Sequence, residues 1–179
     1  MNRKKWRIIA VSLLTLALIV GVQGAVLAKA TKVEVTGDLA GAWDRESGDQ
    51  WFSRDPIPGV RPGRLHIKDT DFNGYFNLPD LGVAGHHTMV LSCSIERVIP
   101  VGGTGPCKGP ITIWDAEDKV LWEGQVFLYV VDMISSGRIV AHGVEGGPYE
   151  GTQLKLDAQE RLVGPPDVFD LTGRLLYPN

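Results

Sequence analysis

From Thr31 to the end, apolar and polar residues alternate along most of the chain with a period of two, the pattern of strands with one buried face. The clearest stretch is Arg138 to Leu156 (RIVAHGVEGGPYEGTQLKL), where two alternating runs flank a turn holding Gly143, Gly146, Gly147, Pro148 and Gly151. It predicts a β-hairpin with Tyr149 just after the bend. Strands are also predicted at Thr31–Gly37, Arg64–Asp71 and His86–Ile99, the last with Met89, Leu91, Cys93 and Ile95 on one face. Asp38–Arg54 reads as a loop leading into a short strand, Asp55–Gly63 as a turn, and Asn73-Gly74 as a hairpin bend returning through Tyr75–Leu78. Ile111–Trp114 and Val120–Met133 pair around the turn Asp115–Lys119, and Asp167–Tyr177 closes the chain. In Val120–Met133, Trp122, Gly124, Val126, Leu128 and Val130 share one face. Leu121, Phe127, Tyr129 and Val131 share the other, so a strand packed on both sides is expected. Leu154–Val163 fits either a short helix or a strand running into a turn. Eight or so short strands with regular turn signals predict one all-β domain, a sandwich or, better, an antiparallel barrel, because closure leaves no exposed edge.

The first thirty residues follow another pattern. Arg3, Lys4, Lys5 and Arg7 precede the apolar run Ile8–Val22, and Ala28-Lys29-Ala30 offers small residues where a signal peptidase reads them. A signal peptide spanning 1–30, cleaved before Thr31, is expected, with the barrel domain at 31–179 and a secreted or periplasmic location. The alternative is an uncleaved anchor, since Ile8–Ala28 is long enough to span a bilayer and would be the only link to a membrane. No cysteine lies near the cleavage region, which argues against a lipoprotein. Residues 31–179 keep 13 of the 18 basic residues and all 21 acidic ones, a net charge of −8. That excess disfavours nucleic acid and anionic membranes as partners. Cys93 and Cys107, the only cysteines, are expected to form a disulfide across the Gly/Pro-rich stretch Ile99–Pro106. A redox-active pair would call for Cys-x-x-Cys spacing, which is absent.

The leader, the Gly-x-x-Gly-Gly-Pro-Tyr-x-Gly turn within Val140–Leu156 and the ending Leu171-Thr172-Gly173-Arg174-Leu175-Leu176-Tyr177-Pro178 together resemble secreted bacterial proteins. Through them the chain is similar to the allene oxide cyclase/dirigent-type β-barrel class. Gly143, Gly146, Gly147, Tyr149, Gly151 and Gly173 carry the match, over roughly 40 of 179 residues. The resemblance implies an eight-stranded antiparallel barrel with a central apolar cavity, often as a homo-oligomer. Members of the class shape ring closure or radical coupling in that cavity, but no catalytic carboxylate or tyrosine of theirs aligns to a residue here.

Candidate chemistry is thin. Trp114, Trp122, Phe127, Tyr129 and Tyr149 cluster in the second half and are candidates to line a lumen holding a small apolar molecule; ordinary core packing is the competing use. Glu96, Glu123, Asp132 and Glu145 lie in or beside predicted strands, where an inward carboxylate would gain a raised pKa and serve as acid or base. Glu145, in the glycine turn, is the candidate catalytic group. His66, His86, His87 and His142 show no metal-ligand spacing and read as surface or turn residues, with adjacent His86 and His87 facing opposite ways. No metal or cofactor is expected, and no Gly-x-Ser-x-Gly elbow is present. Three functions remain in order of preference: a barrel binding a small apolar ligand, a structural or surface-interaction domain with a filled core, and a cyclase- or isomerase-like enzyme.

Overall fold

A computed structural model describes residues 30–44, 46–59, 61–97, 102–132, 134–161 and 166–178. Residues 1–29 of the leader therefore lie outside the described residues, as does part of the Ile99–Pro106 stretch. Lys32–Pro178 form one compact unit. Its strands are β1 (Thr31–Trp43), β2 (Asp49–Arg54), β3 (Gly63–Leu78), β4 (Val83–Arg97), β5 (Gly103–Asp115), β6 (Val120–Val131), β7 (Ile134–Gly143), β8 (Gln153–Glu160) and β9 (Asp167–Tyr177). The sheet order is β1-β9-β8-β7-β6-β5-β4-β3, and β1 pairs again with β3, from Asp38 opposite Asn77 to Trp43 opposite Phe72. That second pairing closes an eight-stranded antiparallel barrel. β2 stands outside the ring, on the N-terminal half of β3.

Alternation explains which side chains fill the interior. Val35 and Leu39 of β1, Phe72 and Phe76 of β3, and Met89 and Leu91 of β4 point inward and are buried. Ile111 and Ile113 of β5, Trp122 and Val126 of β6, and Ile139, Leu154, Leu156, Leu171 and Leu175 of the last three strands complete the core. Cys93 and Cys107 sit directly opposite each other on β4 and β5, and their disulfide bridges Cα atoms 4.1 Å apart inside the barrel. Tying positions 14 residues apart removes unfolded-state entropy worth about 3 kcal/mol.

Several sequence expectations need correction. β3 runs straight through Asn73-Gly74, with no hairpin there, because Gly74 serves closure instead of bending. A Cβ at Gly74 would lie 2.0 Å from the Ala40 carbonyl oxygen of β1, so only glycine admits the neighbouring strand so closely. The loop expected from Asp38 begins instead after Trp43, since β1 continues through Gly41. Leu154–Glu160 is strand, settled by ladder pairing with both β7 and β9. β6 is not covered on its second face: Phe127, Tyr129 and Val131 stand on the outer wall of the barrel. Leu121 alone on that face is buried, where its carbonyl accepts the Val144 N–H from the glycine turn.

Gly74→Ala is expected to lower stability by roughly 1–3 kcal/mol, the cost of forcing an extra methyl into a packed site. Urea denaturation followed by tryptophan fluorescence checks it; unchanged stability would mean that β1 and β3 do not approach each other at this point.

Candidate functional site

The expected ligand-lining aromatics do not converge. Trp122 is fully buried and plugs one end of the barrel. Its Nε1–H donates to Thr152 Oγ1 at 3.2 Å, and that hydroxyl donates to the Tyr149 carbonyl at 2.6 Å. The Tyr149 ring stacks on Trp122 with centroids 4.1 Å apart. Burial, with Tyr177 nearby, raises the Tyr149 phenol above its ordinary value. The turn Val144–Gly151 thus folds over the barrel end, helped by positive φ at Gly146 and Gly151. Trp114 lies half-buried on the opposite face of its strand from the core residues Ile111 and Ile113, stacked 4.8 Å from His86. Phe127 and Tyr129 face solvent and line no lumen.

The other end of the barrel carries a partly open, mainly apolar recess. Trp43, Phe72, Met89, Leu91, Val126 and Phe169 are among its walls, and it holds only about 20 Å³. That is room for one water, against several hundred Å³ in a ligand pocket. The central cavity implied by the resemblance is therefore occupied by the protein's own side chains.

Nor do the candidate carboxylates face inward. Glu96 is exposed and pairs with Arg54 at 3.1 Å; Glu123 and Glu145 are on the surface; Asp132 lies in the turn after β6 with φ of 50°. Among the half-buried carboxylates, which include Asp38, Asp71, Asp115 and Asp167, Glu160 is the one that burial shifts upward, and it is not among the sequence candidates. It continues the inward series Leu154, Leu156, Ala158 and sits across the ladder from Phe169. Burial raises its pKa, the Ser135 N–H it accepts pulls it back down, and Asp167 raises it again. Extending the period of two through β8 would have found it. Among the described residues no three His, Cys, Asp or Glu side chains gather as a metal site.

His87 corrects the surface reading of the histidines. It is 1% exposed, inside the barrel, with its ring 5.8 Å from that of Phe72. Its Nδ1 lies 3.2 Å from the Tyr75 carbonyl, which can only accept, so Nδ1 carries the proton and Nε2 is a bare acceptor. Among the described residues no partner meets that buried Nε2. Burial, opposed by the Tyr75 hydrogen bond and reinforced slightly by His86, lowers the His87 pKa to about 4. His86, one residue away, faces outward beside Asp118 at 3.7 Å, as the opposed-face expectation requires.

No known protein family, curated protein or solved structure matches this chain. Its class is set by the geometry: a closed, disulfide-tied antiparallel barrel with a filled interior and an apolar strip on its outer wall.

The buried histidine sets an acid limit. Unfolding frees His87 to bind a proton with the ordinary histidine pKa of 6.5, whereas the folded site resists protonation down to about 4. Its contribution is therefore complete above 6.5 and is lost as pH falls toward 4, amounting to about 3 kcal/mol by then. His87→Leu should flatten the fall in stability between pH 6.5 and 4 in denaturant titrations; an unchanged slope would place the proton uptake elsewhere.

Proposed function

We propose that this protein works through its outer surface, as an exported structural or interaction barrel, and not by holding a molecule in its lumen. The observation that carries this reading is the contrast between inside and outside. Trp122, Phe76 and a set of Leu and Ile side chains fill the interior and leave space for one water. Meanwhile Phe127, Tyr129 and Val131 stand about half exposed in a row on β6 (50%, 50% and 48%). A contiguous exposed apolar strip rimmed by polar residues marks an interaction site.

Export supports the same reading. The basic and apolar leader with its Ala-x-Ala site, and the Cys93–Cys107 disulfide, suit a secreted or periplasmic protein processed before Thr31. No helix among the described residues is long and apolar enough to cross a membrane. Kinship with the allene oxide cyclase/dirigent-type class fits the eight-stranded closed barrel. A cyclase-like activity lacks both the volume and an inward carboxylate among the expected candidates. The ligand-binding alternative would need the recess by Phe72 and Phe169 to open severalfold.

Native mass spectrometry of protein recovered from the exported fraction tests this reading. The expected native mass equals one or more copies of the processed, oxidised chain with no small molecule retained. A stoichiometric added mass that disappears on denaturation would return the lumen to the centre of the account.

A further inference from the structure

Resting on the surface-interaction reading, we infer that the outer edge of β2 takes up an extended peptide segment of another protein as an added strand. The segment it fits has two adjacent apolar side chains and a cation at the end that meets Asp49. Closure removes free edges from the ring of eight strands, and β2 brings one back. It is hydrogen-bonded to β3 on one side, and among the described residues no strand stands on the other. All six of its residues, Asp49–Arg54, are exposed. None is a proline or a lysine, the residues that commonly blunt such an edge; the one irregularity is a register shift between Phe52 and Arg54. A row of unpaired backbone N–H and C=O groups is matched by another extended backbone.

The side chains have open faces in the same direction. Trp51 lies across the ladder from His66, and the two rings stack with centroids 5.2 Å apart and 14° between their planes. Ser53 Oγ, 2.9 Å from His66 Nε2, fixes the imidazole under the indole. The second face of the indole looks to where the next strand would run, and Trp51 is exposed there. A strand added at the usual spacing of about 4.8 Å repeats the His66 stack on that face. One residue on, Phe52 points to the opposite side of the sheet, shares it with Leu65 and Ile95, and is exposed as well. Neighbouring side chains of the incoming strand therefore both meet apolar surface, which calls for an apolar pair.

Charge sets the direction. Asp44–Asp49 holds three carboxylates, Asp44, Glu46 and Asp49, against Arg45. All three are exposed and have no ion pair among the described residues; Lys68, across the ladder from Asp49, lies 3.9 Å from Asp69. The far end has the opposite sign. Arg54 is held by Glu96 at 3.1 Å, Arg64 lies across from it, and Arg61 and Asp55 share the turn that follows. The partner's cation thus belongs at the Asp49 end. A second copy fits this edge less well. Its own β2 carries the same register shift, so two such strands match regularly only around Trp51, whereas a flexible segment follows the whole edge. Two chains with a net charge of −8 over residues 31–179 also repel each other.

Hydrogen exchange of the β2 amides, read by NMR on the protein as recovered from cells, tests this with synthetic hexapeptides at about 1 mM. The peptides carry a central apolar pair that includes tryptophan or phenylalanine, with lysine at one end or the other. A second set repeats them with every second amide N-methylated, in both phases, which keeps the side chains and removes the backbone donors. At least one lysine-ended peptide is expected to slow exchange of the β2 amides that point away from β3 by about tenfold, and one phase of its N-methylated form is expected to lose the effect. Trp51→Ala should weaken that peptide about tenfold, and Asp49→Lys should shift the preference to a glutamate-ended counterpart. The N-methyl comparison uses the wild type, so it stands even where a variant disturbs β2. Unslowed β2 amides with every peptide, or equal protection by both N-methylated phases, would overturn the proposal. So would β2 protection that grows with protein concentration in the absence of peptide, which would assign the edge to a second copy. An edge that binds nothing, beside an empty lumen, would sink this partner and spare the surface reading, whereas a retained lumen molecule would remove the surface reading itself.

Discussion

The ladder between β1 and β3 is what the rest of this molecule depends on. Without it, the strands from β1 through β9 and back to β3 would form an open sheet with two long edges, each a row of unsatisfied backbone groups. Joining Asp38–Trp43 to Phe72–Asn77 satisfies both edges along that span, β2 covers the N-terminal half of β3, and the glycine at position 74 lets the β1 and β3 backbones come close enough to close the ring. Closure also fixes which residues are inside. Every second side chain on eight strands must then fit one shared interior.

That interior is filled by Leu, Ile, Val, Phe and Trp, with the disulfide as part of the packing. Trp122 illustrates how filling and capping combine. Its ring packs the lumen, while its Nε1–H reaches the Thr152 hydroxyl and its face carries Tyr149, so the glycine-rich turn acts as a lid on the core. Besides the buried hydroxyls of Thr70 and Thr152, His87 departs from an apolar interior: the Tyr75 carbonyl satisfies one nitrogen and leaves the other bare among the described residues. The structure tolerates that only while the ring stays neutral, which ties the fold to conditions above mild acid. The inside is committed to stability, and the large apolar side chains left exposed stand on the outside: Phe127, Tyr129 and Val131 on β6, Trp51 and Phe52 on β2, and Ile57 and Tyr75.

Much of this was legible in the chain. The period of two sorts Trp122, Val126, Leu128 and Val130 onto one face of β6 and Phe127, Tyr129 and Val131 onto the other, and the two cysteines pair as expected. What alternation leaves open is whether the second apolar face is covered by another layer or bare, because that depends on closure, a long-range property. Asn73-Gly74 was misread for a related reason. Local turn chemistry favours a bend there, but close approach of a strand more than thirty residues earlier imposes a different use for the glycine. Glu160 was hidden by the helical spacing that Leu154–Val163 also satisfies, and His87 by the ordinary preference of histidine for the surface. Parity alone could have placed both, once the register of β4 and β8 was fixed by their buried neighbours.

The most direct measurement of the central claim is methyl NMR of the isoleucine, leucine and valine side chains during titration with a graded series of small apolar molecules. A filled interior predicts that the methyls of Ile111, Ile113, Ile139 and Leu171 stay unmoved at every concentration, with any response confined to Val131 and its neighbours on the outer wall. Saturable shifts of the interior methyls would contradict it and show that the lumen opens to a ligand after all.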